Sequence, residues 1–170
     1  KIYNAGADIT LQPCASVFYI LSDNIMSCAV DIPAKKEPQA LGNKQWTITF
    51  QKTGRTIKTE NLFDWTTLTD NDVKYYSGRA TYETTFKHKG KPGDNITLNL
   101  GNVQNLATVY VNGICCGTSW LAPHSVDISK AVKKGKNTLR IDVVNTWANA
   151  LLGNDNGTPP FPGIWTNGKY

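Results

Sequence analysis

The sequence predicts an all-β fold, either an antiparallel β-sandwich or a barrel. From Gln45 onward, short runs rich in β-forming residues are separated by turn signals. Apolar and polar side chains alternate along these runs, which is typical of strands with one buried and one solvent-facing side. No segment keeps a 3.6-residue apolar period over the length of an ordinary helix. The apolar content of 40% and the charged content of 18% favour a folded globular domain over intrinsic disorder.

Five strands stand out in this pattern. Ala80, Tyr82 and Phe86 share one face of the second strand, as do Val109 and Val111 of the fourth. We therefore expect these side chains to face a common core. The predicted strands are Trp46–Phe50, Ala80–Phe86, Ile96–Leu100, Ala107–Val111 and Thr138–Val144.

Turn residues predict the connections between the strands. Asn112-Gly113 lies directly between two β-type runs, and because both residues tolerate positive φ, the pair predicts a two-residue hairpin. Lys134–Asn137 predicts a second tight connection. The only helical candidate is Asp127–Val132, where an Asp or Ser cap would begin one or two turns. Residues 61–77 follow neither period and predict a long ordered loop, a kind of segment that often carries binding sites on β-sandwiches.

The first forty residues differ from the rest of the chain. Ile9–Leu11 and Ser16–Leu21 predict two short strands, and the residues that follow, rich in Pro and charge, predict a linker. We interpret residues 1–40 as the tail of a preceding β-domain plus a linker, and residues 41–170 as the main β-sandwich. The stretch Gly153–Tyr170, with three prolines and four glycines, predicts little regular structure, which fits a sandwich cut before its last strand.

The charge and cysteine patterns argue against several classes of partner. The formal net charge is +5, but the lysines cluster in Gly- and Pro-containing turns without interleaved aromatics, unlike single-strand nucleic-acid surfaces. The longest apolar run, Val17–Leu21, is far too short to span a membrane. Four cysteines without CxxC spacing, and only two histidines, fit no zinc template. The spacing of Cys14 and Cys28 is compatible with a disulfide or with two free thiols.

Several short motifs occur together, in one order, in a known family. Through them, residues 45 to about 155 resemble the galactose-binding-like jelly-roll domain of large bacterial glycoside hydrolases. The same motifs resemble the C-terminal domain of family 106 α-L-rhamnosidases and the sugar-binding domain of family 2 enzymes. The resemblance implies a β-sandwich of jelly-roll type. The matching motifs are Trp46–Phe50, Asp64–Thr66, Val73–Phe86, Leu100–Val103, Ala107–Gly113, Gly117–Trp120, Ala122–Ile128, Gly135–Leu139 and Asn145–Asn149, followed by Leu152–Gly153.

The resemblance also implies an accessory role. In those enzymes the catalytic residues lie on a separate barrel domain, so the chain is expected to be a non-catalytic part of a secreted or periplasmic glycoside hydrolase acting on plant or host glycans. Its expected partners are carbohydrate and the catalytic domain of the same polypeptide. Asp8–Leu21 resembles the strand pair that ends the preceding domain in those enzymes. One position departs from the family, because relatives often carry Arg where this chain has Ala150.

The carboxylates predict no catalytic pair. Most glycosidases use two carboxyl groups that face one sugar, roughly 5 to 9 Å apart, and the acids of this sequence do not assemble into such a pair. Asp64, Asp70 and Asp72 share the long loop, where turn formation and capping are the usual roles of Asp. Jelly-roll domains of the kind that this chain resembles often hold a structural Ca²⁺, and the loop from Asp64 to Asp72 could supply its ligands, although the loop shows no calcium-binding spacing. His124 and Ser125 form no nucleophile-elbow motif.

Carbohydrate binding is the stronger functional interpretation. Aromatic rings stack on the apolar C–H patches of sugars, while planar amide, carboxylate and imidazole groups bind the hydroxyls. Trp65 and Tyr76, in the long loop, are predicted to be exposed stacking platforms. Trp120 and Trp147 follow strand ends, where they could either form platforms or cover the edge of the sandwich. Asn145 and Asn149 could bind a sugar or bond to loop backbone, and His124 could be a packing or surface residue. The candidate binding residues are Trp65, Tyr76, Trp120, His124, Asn145, Trp147 and Asn149.

The alternative is an architectural domain that packs against the catalytic domain and binds no ligand of its own. An exposed aromatic patch with convergent polar groups would favour carbohydrate binding. Buried aromatics, or a bare apolar patch on one flank, would favour the architectural role.

Overall fold

The computed structural model describes Ser16 and residues 39–41, 44–90 and 94–155. The chain divides into the units Lys1–Ala40 and Leu41–Tyr170, and every element described here belongs to the second. Among the described residues, eight strands, two α-helices and one 3₁₀ helix follow in chain order. They are β1 Trp46–Phe50, β2 Thr56–Thr59, the 3₁₀ helix Trp65–Thr67, α1 Asn71–Lys74, β3 Arg79–His88, β4 Thr97–Gly101, β5 Leu106–Val111, β6 Ile114–Ser119, β7 His124–Asp127, β8 Gly135–Val144 and α2 Ala148–Asp155.

The strands form two antiparallel sheets. The large sheet has the order β2-β1-β3-β8-β5-β6, and the small sheet pairs β4 with β7. All six strand pairings found among the described residues are antiparallel. The predicted all-β, antiparallel sandwich is therefore confirmed. All five predicted strands are present, and β1 has the predicted bounds.

The core lies against one face of the large sheet, called the inner face from here on. The small sheet packs over part of this face, and its Val126 belongs to the same buried cluster as Val109 and Val111 of the large sheet. Over β1 and β3 the long loop packs on it instead, so that Phe50 meets Tyr76. Burial of each large apolar side chain contributes roughly 1.5 to 3 kcal/mol, which makes these two clusters the main stabilising feature of the fold. The clusters are Trp46, Phe86, Leu98, Val109, Val111, Val126, Ile128, Ala131 and Leu139, and Ile48, Phe50, Trp65, Val73, Tyr76 and Ala80.

The predicted hairpin turn at Asn112-Gly113 is confirmed. It joins β5 to β6, and its φ angles of 52° and 82° are both positive, as a type I′ turn requires. The second predicted connection, Lys134–Asn137, is only partly correct. Gly135 already begins β8 and pairs with His88 of β3, so most of this segment is strand.

The predicted helix Asp127–Val132 is present only as one capped turn. Asp127 ends β7, and a single turn follows in which the Ala131 amide donates to the carbonyl oxygen of Ile128 at 3.0 Å. The capping interaction itself exists, because the Asp127 carboxylate accepts from the Ser129 amide at 2.9 Å. No helix grows from it, since the chain reverses into β8 only a few residues later.

Short helical segments occur where the sequence showed no helical period. The 3₁₀ helix and α1 both lie in the long loop. Asp64 caps the first by accepting from the Thr66 amide at 2.9 Å, and Asp70 caps the second by accepting from the Asp72 amide at 3.1 Å. One-turn elements are too short to display a period, and they are set by their caps and by packing. Helix α2 likewise extends into the stretch that was predicted to be irregular.

Some predictions concern residues outside the described part of the chain. The two N-terminal strands apart from Ser16, the linker up to residue 38, the pair Cys14 and Cys28, and residues 156–170 all fall there. In the described part, no helix is long and apolar enough to cross a membrane.

Candidate functional site at the loop end of the sandwich

Five strands of the large sheet share one end of the sandwich, called the loop end from here on. The strand pairings place the last residues of β1, β8 and β6 and the first residues of β3 and β5 at this end. Backbone hydrogen bonds join the segments at this end: the Asn105 amide donates to the Val144 carbonyl at 3.0 Å, and the Asn145 amide donates to the Gly78 carbonyl at 3.4 Å. Segments distant in sequence therefore meet at one surface.

The small sheet reaches the same end through His124. This residue begins β7 opposite Gly101 of β4, and its Nδ1 lies 3.1 Å from the Oγ of Ser119, the last residue of β6. The imidazole is half-buried and ties the small sheet to the large one. Five of the predicted site residues belong to the loop end: Trp120, His124, Asn145, Trp147 and Asn149.

The two residues predicted as exposed platforms are buried. Trp65 is 7% exposed and Tyr76 is 3% exposed. Their rings pack edge to face on each other, with centroids 5.7 Å apart, and on Phe50 at 5.2 and 5.0 Å. The Trp65 indole donates to the Tyr82 hydroxyl at 2.6 Å, and the Tyr76 hydroxyl donates to the Arg79 carbonyl at 2.6 Å. The expectation of exposure was wrong because the long loop folds onto β1 and β3 and contributes its rings to the core.

The two asparagines have different surroundings. The Asn145 amide donates to the Tyr76 carbonyl at 2.8 Å, and its side-chain oxygen accepts from the Gly78 amide at 2.9 Å. Both halves of this amide therefore fasten the backbone before β3 to the end of β8. Asn149 is half-buried in α2, and its side chain makes no hydrogen bond to any described residue.

Trp120 and Trp147 remain exposed at the loop end. Their exposed fractions are 68% and 59%, and Leu121 beside Trp120 is 48% exposed. The Lys52 ammonium lies 5.5 Å from the centre of the Trp147 ring, a cation–π geometry. Large aromatic side chains are usually buried, and these two tryptophans are exceptions at the loop end.

The carboxylates of the long loop do not fit a calcium site. Asp70 forms an ion pair with Arg55, whose Nε lies 3.0 Å from the carboxylate, so a cation already occupies this position. The Asp64 carboxylate accepts from both the amide and the hydroxyl of Thr66, and these hydrogen bonds lower its pKa. The described residues contain no group of three or more His, Cys, Asp or Glu side chains able to hold a metal ion.

A polar site on the opposite face of the large sheet was missed by the sequence reasoning. This face is called the outer face, and it contains an open recess of about 390 Å³. The sequence does carry a sign of this recess, because polar residues alternate with core residues along β3 and β8. Such alternation was interpreted only as solvent exposure. The recess is lined by Thr49, Gln51, Arg79, Thr81, Glu83, Arg140 and Asp142.

Known proteins resemble this chain in sequence and in structure. A candidate β-glucuronidase of Formosa agariphila is 32% identical over 153 residues, which cover 86% of this chain and 13% of that protein. A rhamnosidase from Novosphingobium sp. PP1Y superposes with a TM-score of 0.64 at 37% identity, covering 78% of this chain and 13% of that one. A Ruminococcus gnavus β-glucuronidase superposes with a TM-score of 0.52 at 22% identity, covering 65% and 22%, and this likeness concerns the fold alone.

The chain thus spans about one eighth of the length of the first two proteins. The family profile described as glycosyl hydrolase 2 galactose-binding domain-like matches residues 55–164. This match includes β2 through α2, and with them most of the strands of the sandwich. The resemblance found in the sequence motifs is confirmed, and the chain belongs to the glycosyl hydrolase 2 galactose-binding domain-like family.

Proposed function

We propose that this chain is a non-catalytic accessory domain of a glycoside hydrolase and that its loop end binds carbohydrate. The observation that carries the proposal is the exposure of Trp120 and Trp147, 68% and 59%, at one end of the sandwich. An exposed indole offers a flat face to the C–H patch of a sugar ring. His124 and Asn149 lie at the same end as polar groups suited to hydroxyls.

The accessory role is supported by the length relation to the similar proteins. Two of these proteins are named as glycosidases, and this chain covers only 13% of the length of each. The pattern of acids in the sequence predicts no carboxylate pair of the glycosidase type. We therefore assign catalysis to another domain of the same polypeptide. We also propose that the whole enzyme is exported to the periplasm or the medium.

Titration calorimetry of the 170-residue chain with L-rhamnose, D-galactose and pectic oligosaccharides tests the loop-end site. Trp120→Ala and Trp147→Ala are each expected to weaken saturable binding by about tenfold, the loss of roughly 1.4 kcal/mol of stacking. Ile114→Ala is the matched control, because Ile114 is 53% exposed but follows the hairpin turn at the opposite end of the sandwich. Equal affinity in the tryptophan variants and in the control would contradict the proposal.

The architectural alternative is favoured by one specific observation. Leu121, which offers no hydrogen bond to a sugar, is exposed beside Trp120, as expected for a surface that another domain covers. Absence of saturable binding of any of these sugars would exclude the carbohydrate site and leave the docking role. In that case Trp120→Ala and Leu121→Ala should weaken contact with the rest of the polypeptide without changing the stability of this chain.

A further inference from the structure

The recess on the outer face is centred on the middle of the large sheet. β3 and β8 are its two central strands, and each contributes alternate residues that point away from the core. Thr81 lies across from Asp142, and Glu83 lies across from Arg140. The volume of about 390 Å³ falls within the range of roughly 300 to 1,000 Å³ that is typical of small-ligand sites.

The floor of the recess is a preorganised polar network. Thr81 and Asp142 are 8% and 6% exposed although they face away from the core. Gln51 Nε2 donates to the Thr81 hydroxyl at 2.9 Å, and that hydroxyl donates to Asp142 Oδ1 at 3.0 Å. This chain of mutually bonded groups, of which Thr81 and Asp142 are buried, holds its geometry before a ligand arrives.

Arg140 is fixed from two sides. Its guanidinium lies 4.0 Å from the centre of the Tyr110 ring, and one terminal nitrogen lies 3.4 Å from Asp142 Oδ2. A guanidinium carries five N–H donors, so this arrangement leaves donors available toward the recess. The stacking and the ion pair together limit the rotamers that would have to be ordered on binding.

Two charged side chains at the rim are not committed to other residues. Within the described part of the chain, neither the Arg79 guanidinium nor the Glu83 carboxylate makes a hydrogen bond or ion pair. Glu83 lies across the strands from Arg140, but that guanidinium is directed to Asp142 instead. The rim therefore offers one strong donor and one strong acceptor that no described side chain engages.

The chemistry of the lining selects the class of ligand. Two arginines balance one glutamate and one aspartate, so the recess has no net charge to attract an anion or a cation. The remaining side chains are hydroxyls and an amide, which give an apolar molecule nothing to bury against. Adjacent donors and acceptors at fixed spacing match a molecule that carries several neighbouring hydroxyl groups. We infer that the outer-face recess binds a neutral sugar unit, with Arg79 and Glu83 as the residues that contact its hydroxyls.

This inference rests on the proposed carbohydrate-binding function for its ligand class, but it places a second site away from the loop end. The test is a ¹H–¹⁵N NMR titration of the 170-residue chain with D-galactose, L-rhamnose and D-galacturonate, up to about 50 mM because single sugars bind weakly. The neutral sugars are expected to shift the amides of Thr81 and Asp142 saturably. Glu83→Ala and Arg79→Ala are each expected to weaken that binding by about tenfold, as is usual for loss of a hydrogen bond to a charged group.

Matched controls separate the recess from general charge effects. Lys87→Ala removes an exposed positive charge from the same strand and face as Arg79, and Glu60→Ala removes an exposed negative charge elsewhere. Both should bind the neutral sugars like the unaltered chain. All four variants change exposed side chains, so thermal unfolding should show that each remains folded.

The outcomes distinguish the two proposals. Shifts at the recess that persist in Trp120→Ala and Trp147→Ala, but weaken in Glu83→Ala and Arg79→Ala, support the recess site. Binding lost only in the tryptophan variants overturns the recess and leaves the loop-end site standing. Tighter binding of D-galacturonate than of D-galactose overturns the neutral-ligand assignment. Absence of saturable shifts with every sugar overturns both sites.

Discussion

Truncation of Trp65 should reduce stability severely. The indole is 7% exposed and packs edge to face on Phe50 and Tyr76, with centroids 5.2 and 5.7 Å away. Replacement of a buried Trp by Ala costs about 3 to 5 kcal/mol, from lost transfer free energy and from the cavity left behind. In a domain of this size 1 kcal/mol changes Tm by about 2 to 4 °C. Trp65→Ala should therefore lower Tm by roughly 6 to 20 °C.

A double-mutant cycle isolates the hydrogen bond from the packing. Trp65→Phe keeps an aromatic ring but removes the indole N–H that lies 2.6 Å from the Tyr82 hydroxyl. Tyr82→Phe removes the acceptor. A partly buried hydrogen bond contributes about 0.5 to 1.5 kcal/mol, so the double variant should be more stable than the sum of the single effects predicts, by about 1 kcal/mol.

Urea unfolding followed by tryptophan fluorescence and by far-UV circular dichroism measures these free energies. Trp120→Ala is the control, since an indole that is 68% exposed should contribute less than about 0.5 kcal/mol. If Trp65→Ala kept the Tm of the unaltered chain and abolished sugar binding, the burial argument would be refuted and Trp65 would be a surface platform. A coupling free energy near zero would refute the hydrogen bond to Tyr82.

Two further predictions concern one fully buried and one partly buried polar side chain. Asn137 is fully buried and makes four hydrogen bonds of 2.8 to 3.0 Å, to Lys133, Gly135 and Asn112. Asn137→Ala should therefore lower the free energy of unfolding in urea by about 3 kcal/mol, because several partners lose their bonds. A loss below about 1 kcal/mol would mean that water replaces the amide. Burial raises the pKa of Tyr82 to about 12. A raised pKa means that the folded state holds the proton more tightly, so this stabilisation is complete below about pH 10 and is lost as the pH rises toward 12. Unfolding of Tyr82→Phe should lack this alkaline step when Tm is measured across that range, and an unchanged pH profile would contradict the assignment.

The strands were predictable because their cause is local. Alternation of apolar and polar residues at Ala80, Tyr82 and Phe86 is a direct record of a sheet with one buried face. The turn at Asn112-Gly113 was predictable for the same reason, since positive φ is a property of the residues themselves. The motifs that carry the family resemblance follow these same strands and turns, so fold and family were both within reach of the sequence.

Burial in the long loop was not predictable in this way. The prediction of exposure for Trp65 and Tyr76 treated an irregular segment as a surface segment, whereas contacts with Phe50, distant in sequence, decide where those rings lie. For Asn145 the sequence left two alternatives, sugar binding or a bond to loop backbone. Its bonds to Gly78 and Tyr76 depend on the pairing of β3 with β8, which brings those residues near it. One-turn helices depend on such contacts more than on propensity.

The sequence by itself determined the antiparallel β-sandwich, the positions of its main strands, its hairpin and its membership of the family, because these depend on periodicity, turn chemistry and short motifs. Only the tertiary structure decided which aromatics are available to a ligand. Trp65 and Trp120 are chemically identical, and one is in the core while the other is exposed at the loop end. The outer-face recess also exists only in the folded sheet, since Arg79, Glu83 and Arg140 become neighbours through strand register. Exposure and convergence are properties of the surface that a fold leaves uncovered, and long-range packing sets that surface.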